Sequence, residues 1–82
     1  LRKSMTGVRA PYDVVVHRDR VYVTEHTANR VAVYSLSLAR LGSFGATGTA
    51  HGQFQGPAPI DVDATGRLYV MDSRNERVEV FG

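Results

Sequence analysis

Four charged residues recur at one spacing. Glu25 and Arg30 lie five positions apart, and Asp72 and Arg77 repeat that separation. A carboxylate ending one strand and an arginine beginning the next can meet across the intervening loop, where paired hydrogen bonds would clamp a hairpin and neutralise both charges. The four are read as a structural clamp because both copies carry it, and neither carboxylate as catalytic, since no second carboxylate at a matching site completes a general acid/base pair. The histidines are His17, His26 and His51. Three histidines suffice for a catalytic zinc, but these follow no ligand spacing and are read as turn or loop residues. No Gly-x-Ser-x-Gly elbow occurs. The glycine-rich stretch 42–56 has neither a following Lys-Ser/Thr nor a strand-to-helix context, so it is no phosphate cradle. No catalytic residue, metal or cofactor is expected.

The chain that must position these groups has 82 residues, ten Lys+Arg against eight Asp+Glu, and a formal net charge of +2. That margin is too thin to indicate nucleic acid. Nine of the ten bases are arginine, with Lys3 alone, and arginine suits planar pairing to carboxylates within a structure. Cysteine is absent, which excludes disulfides and leaves the redox compartment open. No apolar run approaches the ~18 residues of a membrane-spanning helix, so no membrane contact is expected from this segment. The first residue is Leu1 with no charged-then-apolar leader after it, and the segment reads as an excerpt of a longer chain.

A repeat organises it. Residues 20–34 (RVYVTEHTANRVAVY) align with residues 67–81 (RLYVMDSRNERVEVF) at an offset of 47, with six of fifteen positions identical. Upstream the offset is 46, pairing Pro11 with Pro57, Val14 with Ile60 and Val16 with Val62. The slip falls between 17–20 and 63–67, inside a turn, where one extra residue leaves the flanking strands intact. The units read as short Val- and Tyr-rich strands over 12–16, 21–25 and 30–34, a fourth at 37–43, then 60–63, 67–71 and 77–81. Runs such as Val14-Val15-Val16 are apolar on both faces, so a sheet must lie on each side. Four strands per unit with both faces covered indicate propeller blades in an all-β fold.

These residues carry a family resemblance. Phe44-Gly45, Gly52-Gln53-Phe54, Pro57 and Ile60-Asp61-Val62-Asp63 resemble the start of an NHL repeat, and 66–72, Asn75 and 77–82 resemble its continuation. The first copy resembles it through Pro11, 14–16, 21–25 and 29–34. The resemblance implies antiparallel four-stranded blades in a closed, usually six-bladed propeller. This chain then holds one full blade and three strands of a second: residues 1–10 ending a preceding blade or linker, 11–56 the first blade with its crossover, 57–82 the second. Neighbouring blades are required, from the same longer chain or by oligomerisation. The related peptide-amidating lyases bind zinc through a histidine just before the pair that opens the third strand. Here Asn29 and Glu76 hold that slot, which counts against a zinc site. The family spans secreted, membrane-tethered and cytoplasmic proteins, so the compartment stays open with a lean to extracytoplasmic.

In a propeller the loop between second and third strands and the crossover between blades open onto one face. That face would carry Tyr12, Asp13, His26, Asn29, His51, Arg74 and Asn75, a rim of mixed donors suited to protein, peptide or glycan. The expected function is a non-catalytic binding scaffold. Its rivals are a metal-dependent propeller lyase or hydrolase, joined by Asp13 or His17, and an RNA-binding NHL domain. RNA is the minority reading, since the loops contribute only Arg74 and no exposed aromatic cluster.

Overall fold

The computed structural model describes residue 4 and residues 7–48, 52–72 and 74–82. Among them are nine strands and no helix: β1 (Pro11–His17), β2 (Arg20–Glu25), β3 (Arg30–Ser35), β4 (Arg40–Phe44), β5 (Ala46–Thr47), β6 (Gln53–Phe54), β7 (Pro57–Val62), β8 (Leu68–Asp72) and β9 (Arg77–Phe81). Strands β1–β4 form an antiparallel sheet in chain order, a complete blade, and β7–β9 form three strands of a second. The β-branched and aromatic residues that fill these runs suit a pleated surface packed on both sides.

The repeat holds down to register and backbone. Pro11 faces Glu25 and Val14 faces Val23, while Pro57 faces Asp72 and Ile60 faces Val70. Both blades carry an irregularity at the same place, between Pro11 and Val14 and between Pro57 and Ile60. Positive φ recurs too: Ala10 (39°) matches Gly56 (86°), and Asn29 (54°) matches Glu76 (52°). The one-residue slip sits in the turns. His17 pairs with Arg20 across two residues. In the second blade the Asp63 carboxylate accepts the Thr65 and Arg67 backbone N–H groups at 2.9 and 3.0 Å, so a longer turn closes on an aspartate side chain.

Two elements depart from expectation. The fourth strand begins at Arg40, not at residue 37, because 35–39 fold into a turn: Ser35 N–H donates to the Ala39 carbonyl at 2.9 Å, Leu38 N–H donates to the Ser35 carbonyl at 2.9 Å, and Leu38 has φ 69°. The crossover also contains regular structure, since β5 and β6 pair in parallel, Ala46 with Gln53 and Thr47 with Phe54.

The core lies between the blades. Val31, Phe54, Ile60, Leu68 and Val70 form one buried cluster, with Val15, Tyr22, Phe44, Val62 and Phe81 packed against it. Phe54, fully buried, is the plug that the crossover drives into this joint. Its ring passes so close to Gly45 (φ 95°) that a Cβ there would stand 2.5 Å away, a position only glycine can fill. A second cluster, Val21, Val23, Ala32 and Tyr34 with Val8 against it, lines the far face of the first blade. Along that face Val14 and Val16 are exposed, as are Met71, Val78 and Val80 on the outer face of the second blade.

Candidate functional site

At the end of β2 the first blade buries a carboxylate. Glu25 has no exposed surface, and its Oε2 accepts the Arg9 backbone N–H at 2.9 Å. Arg30 Nε donates to its Oε1, and Arg40 NH2 stands 3.8 Å from the same oxygen. Burial alone would push this carboxyl upward, but the Arg9 N–H and the charges of Arg30 and Arg40 together hold it below the ordinary glutamate value. Arg40 was not legible as a partner, because it reaches Glu25 from the fourth strand, fifteen residues on.

The second copy is wired differently. Asp72 is equally buried, and Oδ1 accepts the Gln55 N–H at 2.9 Å, the equivalent of the Arg9 contact. Its Oδ2 accepts the Asn75 amide at 2.7 Å. Arg77 faces Asp72 in register, yet its Nε lies 2.8 Å from Glu79 Oε1 and its NH2 donates to the Gln53 carbonyl at 3.1 Å. Arg77, expected opposite Asp72, thus also holds Glu79. Two side chains differ between the copies here: Asn75 and Glu79 stand where the first blade has Ala28 and Ala32. In both blades the carboxylate ties down the chain two residues before the proline that opens the inner strand, a role that the Glu25/Asp72 recurrence alone could have signalled.

The loop after β2, the loop after β8 and the crossover meet at one end of the joint. Asn29 bridges them: its Nδ2 donates to Thr47 Oγ1 at 2.9 Å, and its Oδ1 accepts the Gly56 N–H at 2.7 Å. Asn75 Nδ2 also donates to the Gly48 carbonyl at 2.9 Å. His26 Nδ1 lies 3.2 Å from the Pro57 carbonyl, so that nitrogen carries the proton. Between the loops opens a cleft of about 250 Å3 lined by His26, Thr27, Asn29, Thr47, Gly56 and Arg74.

The residues expected on the rim divide by employment. Asn29 and Asn75 brace the crossover. Asp13 joins the blades: Oδ1 accepts the Val14 N–H at 2.9 Å, and Oδ2 accepts the Ile60 N–H at 3.0 Å. Tyr12 is 60% exposed, with its ring centroid 5.9 Å from that of His26, and it lines a second, larger cleft with Pro11, Val14 and Val23. Arg74 is exposed. His51 lies outside the described residues.

His17 sits at the opposite end of the blade from His26, lining a cleft with Arg18, Asp19, Arg20 and Thr65. Among the described residues no three His, Asp or Glu side chains gather as a metal-binding group. Nearby, Asp63 is held far below the ordinary aspartate value by the Thr65 hydroxyl first (2.6 Å) and then by the Tyr69 hydroxyl (2.8 Å), with the turn's N–H groups adding to them. The same contact raises Tyr69, because its proton is held by the carboxylate. This cluster rigidifies a turn and presents no free base.

Compared with known families, residues 54–81 match the family model of the NHL repeat. The matched segment runs from the plug Phe54 through the three strands of the second blade, and the first blade repeats its register and its N–H-to-carboxylate tie. The NHL resemblance of the sequence is therefore carried by a matching repeat and by the blade it folds into.

Proposed function

We propose that this NHL-repeat chain is a non-catalytic binding module, part of a six-bladed propeller whose loop face engages a protein, peptide or glycan partner. One observation carries the reading. The loops after β2 and β8 and the crossover are fastened to one another by Asn29, Asn75 and His26, so the cleft between them is preformed, and a preformed site binds with little ordering cost. Further blades, from the same longer chain or from other copies, cover the exposed stripes Val14/Val16 and Met71/Val78/Val80.

The test is selection of a random peptide display library on the immobilised protein, with selected sequences challenged against two variant sets. Thr27→Ala, Thr47→Ala and Arg74→Ala alter the loop face; Arg18→Ala and Thr65→Ala alter the opposite face. Enriched peptides that lose binding only to the first set support the scaffold. No enrichment refutes a protein or peptide partner, and equal loss on both faces refutes the loop face as the binding site.

A further inference from the structure

The cleft on the loop face has a chemistry of its own. Among its described lining residues the one formal charge is Arg74, which is exposed and engages no ion pair or hydrogen bond among the described residues. No carboxylate lines it. Of the carboxylates nearest in sequence, Glu25 is committed to Arg9 N–H and Arg30 and Asp72 to Gln55 N–H and Asn75, while Glu76, two residues from Arg74, is exposed outside the lining. Thr47 Oγ1 already accepts the Asn29 amide, so its own hydroxyl proton is left to donate. Thr27 is exposed beside it. A guanidinium and two hydroxyl donors thus gather around one space, with no carboxylate among its described lining residues. At about 250 Å3 that space falls below the ~300–1,000 Å3 of drug-sized sites, which fits one side chain or one chain end rather than a cofactor.

We infer that this inter-blade cleft is a carboxylate-binding subsite for a peptide partner, with Arg74 pairing to the carboxylate and Thr27 and Thr47 donating to it. The inference rests on the scaffold reading and adds to it what the face recognises. The carboxylate has two sources in a peptide, an Asp or Glu side chain or the C-terminus, and arginine's planar fork recognises either.

The test is a 15N–1H NMR titration of the protein with three N-acetylated tripeptides: an amidated Gly-Asp-Gly, an amidated Gly-Asn-Gly, and Gly-Asn-Gly with a free C-terminus. Saturable shifts are expected at the Thr27 and Gly56 amides and the Arg74 Nε–H with at least one of the acidic peptides and not with the neutral one. Which acidic peptide binds identifies the source. Arg74→Gln should weaken that binding about 3- to 5-fold, the worth of an exposed ion pair, and Arg18→Gln should leave it unchanged. Equal shifts with the neutral peptide, an unchanged Kd in Arg74→Gln, or no shift with any peptide overturns the subsite. The two readings fail separately: display peptides that need the loop face yet carry no carboxylate remove the subsite and leave the scaffold standing.

Discussion

Replacing Arg30 with glutamine should destabilise the first blade far more than any other arginine change on the surface. The variant leaves the Glu25 carboxylate fully buried, with the Arg9 N–H at 2.9 Å and the Arg40 guanidinium at 3.8 Å as its remaining support among the described residues. Removing one partner of a fully buried pair costs about 3–5 kcal/mol. Arg30 is 33% exposed and Arg40 still screens the charge, so the loss should be nearer 2 kcal/mol. For a chain of this size that lowers Tm by roughly 8–16 °C. Thermal melts followed by circular dichroism at neutral pH measure it, with Arg18→Gln as an exposed control.

The pH dependence gives an independent reading. Glu25 has a folded value below the ordinary one near 4.5, so its pairing stabilises the fold above that pH, and the contribution is lost as pH falls through the folded value. Arg30→Gln keeps the burial and removes two of the influences that lower it, so the acid-linked loss between pH 5 and 3 should shrink or reverse (~pH window of the carboxyl). Adding Glu25→Gln to Arg30→Gln should recover part of the stability, since the buried charge is then gone. A Tm for Arg30→Gln within about 2 °C of the parent, or a double variant that loses the sum of both single losses, would refute the reasoning.

Phe54→Ala should cost about 3–5 kcal/mol, because the ring is wholly buried between the blades; a loss under ~1 kcal/mol in denaturant unfolding would show that the plug does not hold the joint. Asp13→Ala should cost about 1–2 kcal/mol and speed hydrogen exchange at the Ile60 amide, whose partner is Asp13 Oδ2; unchanged exchange there would contradict the bridge. Asp63→Asn should bring Tyr69 back down towards the ordinary tyrosine value, since Asp63 is what raises it; an ultraviolet titration in which the Tyr69 phenol does not move would oppose that. Val78→Asp with Val80→Asp should leave the fold intact and reduce concentration-dependent association in light scattering, because both side chains are half exposed on an apolar face.

The sequence alone determined the first three strands of each blade and their repetition, but not where the fourth begins or the short pair in the crossover. Val- and Tyr-rich runs, the paired prolines and the one-residue slip at 63–67 fix the period of the blade, since each is a local preference of the backbone that neighbours do not override. It also marked Glu25 with Arg30, because a carboxylate and an arginine five apart across a hairpin have few other ways to end a charge's isolation. The tertiary structure decided the rest. Arg40 reaches Glu25 from the fourth strand, a proximity no spacing along the chain records. Arg77 holds Glu79 and Asp72 holds Asn75, partners that have no equivalent in the first copy, where alanines stand at those positions. Asp13 and Asn29 look in the sequence like polar groups free for a ligand. In the fold they are joints, because the neighbouring blade and crossover bring the Ile60 and Gly56 N–H groups to their oxygens, and a polar side chain is free only where tertiary contacts leave it so.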